Sequence, residues 1–232
     1  MALSPKLLEA LEQSRVTEDS SKFLRLLIYG DFGLGKSTWA AKSGKNTLFI
    51  DTSSGFVVLK DYDNVDVLEY KGLSQLEVVA QAIKENTPGW NYEVVVIDEI
   101  STIYQMDLEL VTAANTKGDI RDDSIPEMRD YLSTQNRLMK SLRPLLDAPV
   151  HLIMLCHERR TVDKTTGVAM IESDLAPRLS KEVNRGLHVL GRLSISKQGE
   201  REMVVNPARN VQAKNRLGLS NNPTLTNIWE KF

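Results

Sequence analysis

The chain has 232 residues, is 41% hydrophobic and 26% charged, and carries a net charge of −2, a composition that excludes a disordered chain. No apolar run approaches the roughly 18 residues of a membrane span, no secretion signal opens it, and its single cysteine, Cys156, excludes a disulfide framework or a cysteine zinc site. The expectation is a soluble cytoplasmic domain with no membrane partner, whose residues 151–232, with 13 Lys and Arg against 8 Asp and Glu, are the part to meet a polyanion.

Leucines at helical spacing in residues 3–11 predict a short leading helix, and 16–22 a polar linker. Residues 23–29 read as a buried strand that runs into a glycine-rich turn and a helix at 35–43. A second apolar run at 47–51 ends in Ser-Ser-Gly, and 65–70 reads as a third strand. A helix follows at 74–86, with Ser74 as its cap and Glu77 three residues on. The continuous apolar run at 93–98 is the pattern of a strand covered on both faces. Residues 101–115 and 125–147 read as helices separated by a polar stretch, and 150–156 as another covered strand. A polar loop at 157–174 and a helix at 177–187 come next. The segments 189–196, 202–205 and 211–217 alternate and are joined by Gly or Asn-Pro turns, which predicts antiparallel strands. Strands that alternate with helices give an α/β domain with a mostly parallel central sheet, divided as 1–22, 23–218 and a tail at 219–232.

Between the first strand and its helix stands Gly30-Asp31-Phe32-Gly33-Leu34-Gly35-Lys36-Ser37, followed by Thr38. It matches G-x-x-x-x-G-K-[ST] at every fixed position and in the context that the motif requires. Glycines let successive backbone N–H groups turn inward onto phosphate oxygens. Lys36 is then placed to bridge the terminal phosphates of ATP, and Ser37 to ligate Mg²⁺. Asp98, at the end of an apolar strand, is the second metal-supporting group. Glu99 beside it is the candidate to orient and deprotonate water, or else a first-turn acid favoured by the helix dipole.

Together these residues resemble the RecA-like recombinase and hexameric-helicase branch of P-loop ATPases, in particular the short phage-encoded ATPases of single-strand annealing and recombination. The resemblance spans residues 23–218 and implies a RecA-like fold. The segment Phe49-Ile-Asp-Thr-Ser53 is similar to the family's second strand, where the last position is usually a catalytic glutamate; here it is Ser53. The strand ending in His157 looks like the sensor strand, whose polar end reaches the γ-phosphate. The resemblance implies DNA contacts at Arg159, Arg160 and Lys164, and by position at Lys117 and Arg121. Lys214 and Arg216 fall on one face of a strand. Without the family they read as guards of an exposed edge; with it, as cations that reach a neighbour's phosphate in trans. The implied protein is a Mg²⁺-dependent ATPase, stimulated by single-stranded DNA. It works as a homo-oligomer, with a single-strand binding protein as partner, in a host cytoplasm if phage-encoded. A helicase or helicase loader, and a nucleotide-gated DNA-binding module with little hydrolysis, are the alternatives.

Overall fold

The computed structural model describes residues 23–52, 56–116, 125–162, 165, 167–208 and 210–232. The strands are β1 (Arg25–Tyr29), β2 (Thr47–Asp51), β3 (Val65–Glu69), β4 (Val94–Asp98), β5 (His151–Cys156), β6 (Glu158–Val162), β7 (Ala169–Ser173), β8 (Val189–Ile195), β9 (Arg201–Val204) and β10 (Lys214–Asn215). The helices are α1 (Lys36–Ala41), α2 (Leu73–Lys84), α3 (Ile100–Thr116), α4 (Met128–Leu146), α5 (Pro177–Gly186) and α6 (Leu225–Trp229). The leading helix expected in residues 3–11 lies outside the described residues.

The central sheet runs β10-β8-β1-β5-β4-β2-β3, with β9 also beside β8. From β8 to β3 every pairing is parallel, and β9 and β10 join β8 antiparallel. This is the α/β architecture that the element order predicts. Strands β1, β2, β4 and β5 are buried at every residue because helices cover both faces. Alternation divides their side chains: Leu27, Tyr29, Val95 and Ile97 enter one core, under α2 to α5. Leu26, Ile28, Val94 and Val96 enter the other, under α1 and α6. The register pairs Tyr29 with Cys156 and Asp51 with Asp98. The carboxyl ends of four adjacent strands therefore meet at one rim, the usual place for a ligand site in such sheets.

Residues 189–196 form a buried strand that is antiparallel to β9 and β10, as expected, and also parallel to β1 on its other side. Three expectations are corrected. Within 211–217 only Lys214–Asn215 is strand. Within the polar stretch 157–174, expected as a loop, residues 158–162 and 169–173 are strands, paired antiparallel from Glu158↔Ser173 to Val162↔Ala169. Ser74 does not cap α2: Gly72 holds the N-cap position with no side-chain bond, and Glu77 turns to accept from Ser141 Oγ at 2.9 Å.

Candidate active site

The loop from Gly30 to Ser37 leaves β1 and enters α1. Its glycines are required by geometry. A Cβ on Gly30 would stand 2.3 Å from the carbonyl oxygen of Leu193. Gly33 and Gly35 have φ of +71° and +86°, the left-handed region that other residues enter at a cost. Gly30 N–H donates to Cys156 O at 3.2 Å, which ties the loop to β5. The Lys36 ammonium curls back over the loop and donates to Gly30 O and Asp31 O, each at 3.1 Å. Of the other loop residues, Phe32 is exposed at the tip, Asp31 Oδ1 accepts from Phe32 N–H, and Leu34 packs on the core beneath.

Opposite the loop, Ser37 Oγ donates to Asp98 Oδ2 at 2.6 Å. The Asp98 carboxyl is pushed up to about 6, chiefly by burial and further by Glu99 and Asp51; the Ser37 bond and Lys36 pull the other way. Asp98 is joined to Glu99 through a cis peptide. Glu99 lies between Lys36 and His157. Its Oε1 is 3.1 Å from Lys36 Nζ, an ion pair without hydrogen-bond alignment, and its Oε2 contacts His157 Nε2 directly. His157 N–H in turn donates to Ser101 Oγ at 3.1 Å, fastening the end of β5 to the start of α3. His157, at the position that the resemblance reads as a sensor, thus faces the candidate base.

Two residues here escape sequence reasoning. Thr52 donates through its N–H (2.7 Å) and Oγ1 (3.1 Å) to Asp98 O, and its Oγ1 accepts from Glu99 N–H at 3.1 Å. It clamps the acidic pair in place. Asp51, 4% exposed, stands beside Asp98 in register. The signal for both was position alone, at the end of a strand neighbouring the acidic one. Ser53 lies outside the described residues. A cavity of about 190 Å³ opens on the outer side of α1, lined by Gly35, Thr38, Trp39, Leu193, Arg201 and Met203.

The hairpin β6–β7 begins immediately after His157. Arg192 Nε donates to buried Glu158 Oε2 at 3.0 Å and anchors the hairpin to β8. Arg159 is committed across the hairpin to Glu172 Oε1 at 3.0 Å, whereas the Arg160 side chain is 71% exposed. Lys164, Lys117 and Arg121 lie outside the described residues. Lys214 and Arg216 are not brought to this rim. Lys214 pairs with Leu190 on the edge strand and gives its ammonium to Asn184 O and Arg185 O at the end of α5. Arg216 N–H donates to His188 O at 2.9 Å, toward the other end of the sheet. Burial and the nearby Arg216 lower the Lys214 ammonium's pKa.

Among the described residues no three His, Cys, Asp or Glu side chains cluster as a metal site. Ser37 and Asp98 nevertheless suit magnesium. They are hard oxygen ligands, Asp51 and Glu99 add negative charge, and Mg²⁺ takes few protein ligands beside water and phosphate. No helix of the described residues is long and apolar enough to cross a membrane. No curated protein matches the chain. The AAA domain family AAA_24 matches residues 22–217, a range that includes β1 to β10. The match covers most of the chain, including the glycine loop and the acidic strand end, and the chain belongs to that family, as an AAA-type P-loop ATPase domain.

Proposed function

We propose that the protein is a Mg²⁺-dependent ATPase that acts on single-stranded DNA, in annealing or strand pairing of the phage recombination type, as a homo-oligomer. The loop amides and Lys36 bind the phosphate tail of ATP, and Ser37 and Asp98 hold the metal. Bound there, magnesium neutralises charge on the phosphate oxygens. Phosphate competes for the Lys36 ammonium and draws it from Glu99. The freed carboxylate orients a water molecule and accepts its proton. The nucleotide base occupies the cavity at Thr38, Trp39 and Arg201. Lys214 and Arg216, far from their own loop, serve a neighbouring subunit's phosphate.

The observation that carries this reading is one chain of contacts: Lys36 to Glu99, Glu99 to His157, and His157 into a hairpin that presents Arg160 to solvent. It connects phosphate occupancy to the hairpin on which Arg160, 3.4 Å from Glu158, is exposed, a group that a nucleic acid phosphate can engage. The test is ATP turnover with and without single-stranded DNA, beside DNA affinity measured across a salt series with ATP and with ADP. Turnover rises with DNA, and affinity rises with ATP and falls with salt. Glu99→Gln lowers turnover by about 100-fold or more; unchanged turnover removes Glu99 as the base. Absence of DNA binding at low salt with any nucleotide removes the DNA reading. The same Glu99 contacts favour one alternative, a nucleotide-gated module with little hydrolysis, and a parent protein that binds ATP without turnover selects it.

A further inference from the structure

A second cavity lies on the far side of His157 from the phosphate loop. It has a volume of about 600 Å³, within the range of small-molecule sites. Its walls include Tyr104 and Gln105 from α3, Met128, Tyr131 and Gln135 from α4, and Arg159 from the hairpin. None of these residues takes part in the nucleotide chemistry described above.

Three features give the cavity a chemistry. Two of the chain's six tyrosines stand in it, Tyr104 buried and Tyr131 partly exposed at 37%, so it offers flat π-surfaces at its wall and rim. Tyr104 and Gln135 are 8% and 9% exposed, and Tyr104 OH and Gln135 Oε1 have no hydrogen-bond partner. Burial pushes the Tyr104 hydroxyl's pKa up and the neighbouring Gln135 amide opposes that rise, yet no bond of ordinary geometry joins the two side chains. Buried polar atoms left in this way are costly, and each one in a native structure calls for an explanation. The third feature is the approach of α5: Ala176 and Pro177 line the cavity beside Asp174, and the helix starts there with no side-chain cap, so the Arg178 and Leu179 amides of its first turn, Pro177 having no N–H, can meet an anion.

An occupant that satisfies all three is flat and aromatic, carries donors and acceptors on its edge, and is attached to a phosphate. We propose that this cavity takes one nucleobase of a bound single strand, with Tyr131 as the stacking surface, Tyr104 and Gln135 facing the base edge, and the flanking phosphate at the start of α5. The inference rests on the DNA reading given under Proposed function. It adds that the chain grips a base and not only the backbone. Because His157 lines the same cavity and contacts Glu99, the base sits one side chain away from the candidate catalytic carboxylate.

The test compares two fluorescent strands of equal length with Mg-ATP present: an ordinary mixed-sequence oligonucleotide and one whose sugar-phosphate backbone carries no bases. The parent protein binds the base-bearing strand about tenfold or more tightly than the abasic one, the scale of one base–aromatic stack. Tyr131→Ala reduces that preference to near unity, Tyr131→Phe retains it, and Arg160→Gln weakens both strands alike. Equal binding of the two strands by the parent overturns the base site while leaving DNA binding in place. Failure to bind either strand overturns both. A folded Tyr131→Ala variant with the full preference overturns this location for the base. The comparison of strands uses the parent alone and does not depend on any variant folding.

Discussion

The two ends of the central sheet bury similar side chains and treat them in opposite ways. At the amino end, Arg25 is 7% exposed and donates to four carbonyls: Leu146 (2.5 Å), Ala148 and Val150 (2.6 Å each) and Leu24 (2.9 Å). His151 Nδ1 accepts from Leu24 N–H and His188 Nδ1 from Arg25 N–H, both at 3.0 Å, under the rings of Phe23, Trp229 and Phe232. At the carboxyl end, Glu99 Oε1 accepts no hydrogen bond, and Asp98 is held where its charge is disfavoured. The first network is closed and has only stability to supply. The second is left open, as the proposed site for metal and phosphate would have to be, at a cost in stability.

The largest expected effect breaks the closed end. Arg25→Met removes the guanidinium from Leu146 O and Val150 O and leaves Ala148 O with the Val150 N–H alone, which costs about 3 kcal/mol or more in urea unfolding. A loss below about 1 kcal/mol would show that the network is not structural.

The next effect is a pH dependence at the same end. Burial chiefly, then Lys45 and Arg25, lower His151 from 6.5 to about 4, and protonation of Nδ1 would remove the acceptor for Leu24 N–H. Between pH 6.5 and 4 the unfolded chain binds a proton that the folded chain does not. This site's contribution is therefore intact above pH 6.5 and lost as pH falls, by about 2 kcal/mol. Urea titrations at pH 7.5 and 4.5 on parent and His151→Gln check it; equal pH slopes in the two proteins would contradict it.

The smallest effect has the opposite sign and sharpens the contrast. Asp98 is raised from 3.8 to about 6, so between these values the folded state takes the proton first and this site favours the fold more as pH falls. Asp98→Asn, which relieves the buried charge, stabilises the apoprotein by about 1 kcal/mol at pH 7.5 and by almost nothing near pH 4, while it weakens Mg-ATP binding. Destabilisation at neutral pH would show that the carboxylate is structural.

The legible parts of the fold were those in which local pattern and function coincide. The phosphate loop could be read because its glycines answer a steric demand visible in the sequence, and β1, β4 and β5 because strands covered on both faces are continuously apolar. The hairpin at 158–173 was hidden by its polarity: Arg159, Arg160 and Glu172 look like a solvated loop until cross-strand pairing of Arg159 with Glu172 is known. β8 was legible as a strand but not as a parallel one, since direction is fixed by a crossover and not by alternation. Thr52, Asp51 and the Tyr104–Gln135 cavity depend on register and helix packing between distant segments, which no spacing along the chain encodes.

The central claim is that the loop from Gly30 to Ser37 grips a triphosphate beside a magnesium ion. Isothermal calorimetry of Mg-ATP on the parent protein and on Lys36→Ala tests it most directly. The parent gives saturable heat, and the variant loses at least tenfold in affinity, about 1.4 kcal/mol. No heat from the parent, or the same affinity in both proteins, would contradict it.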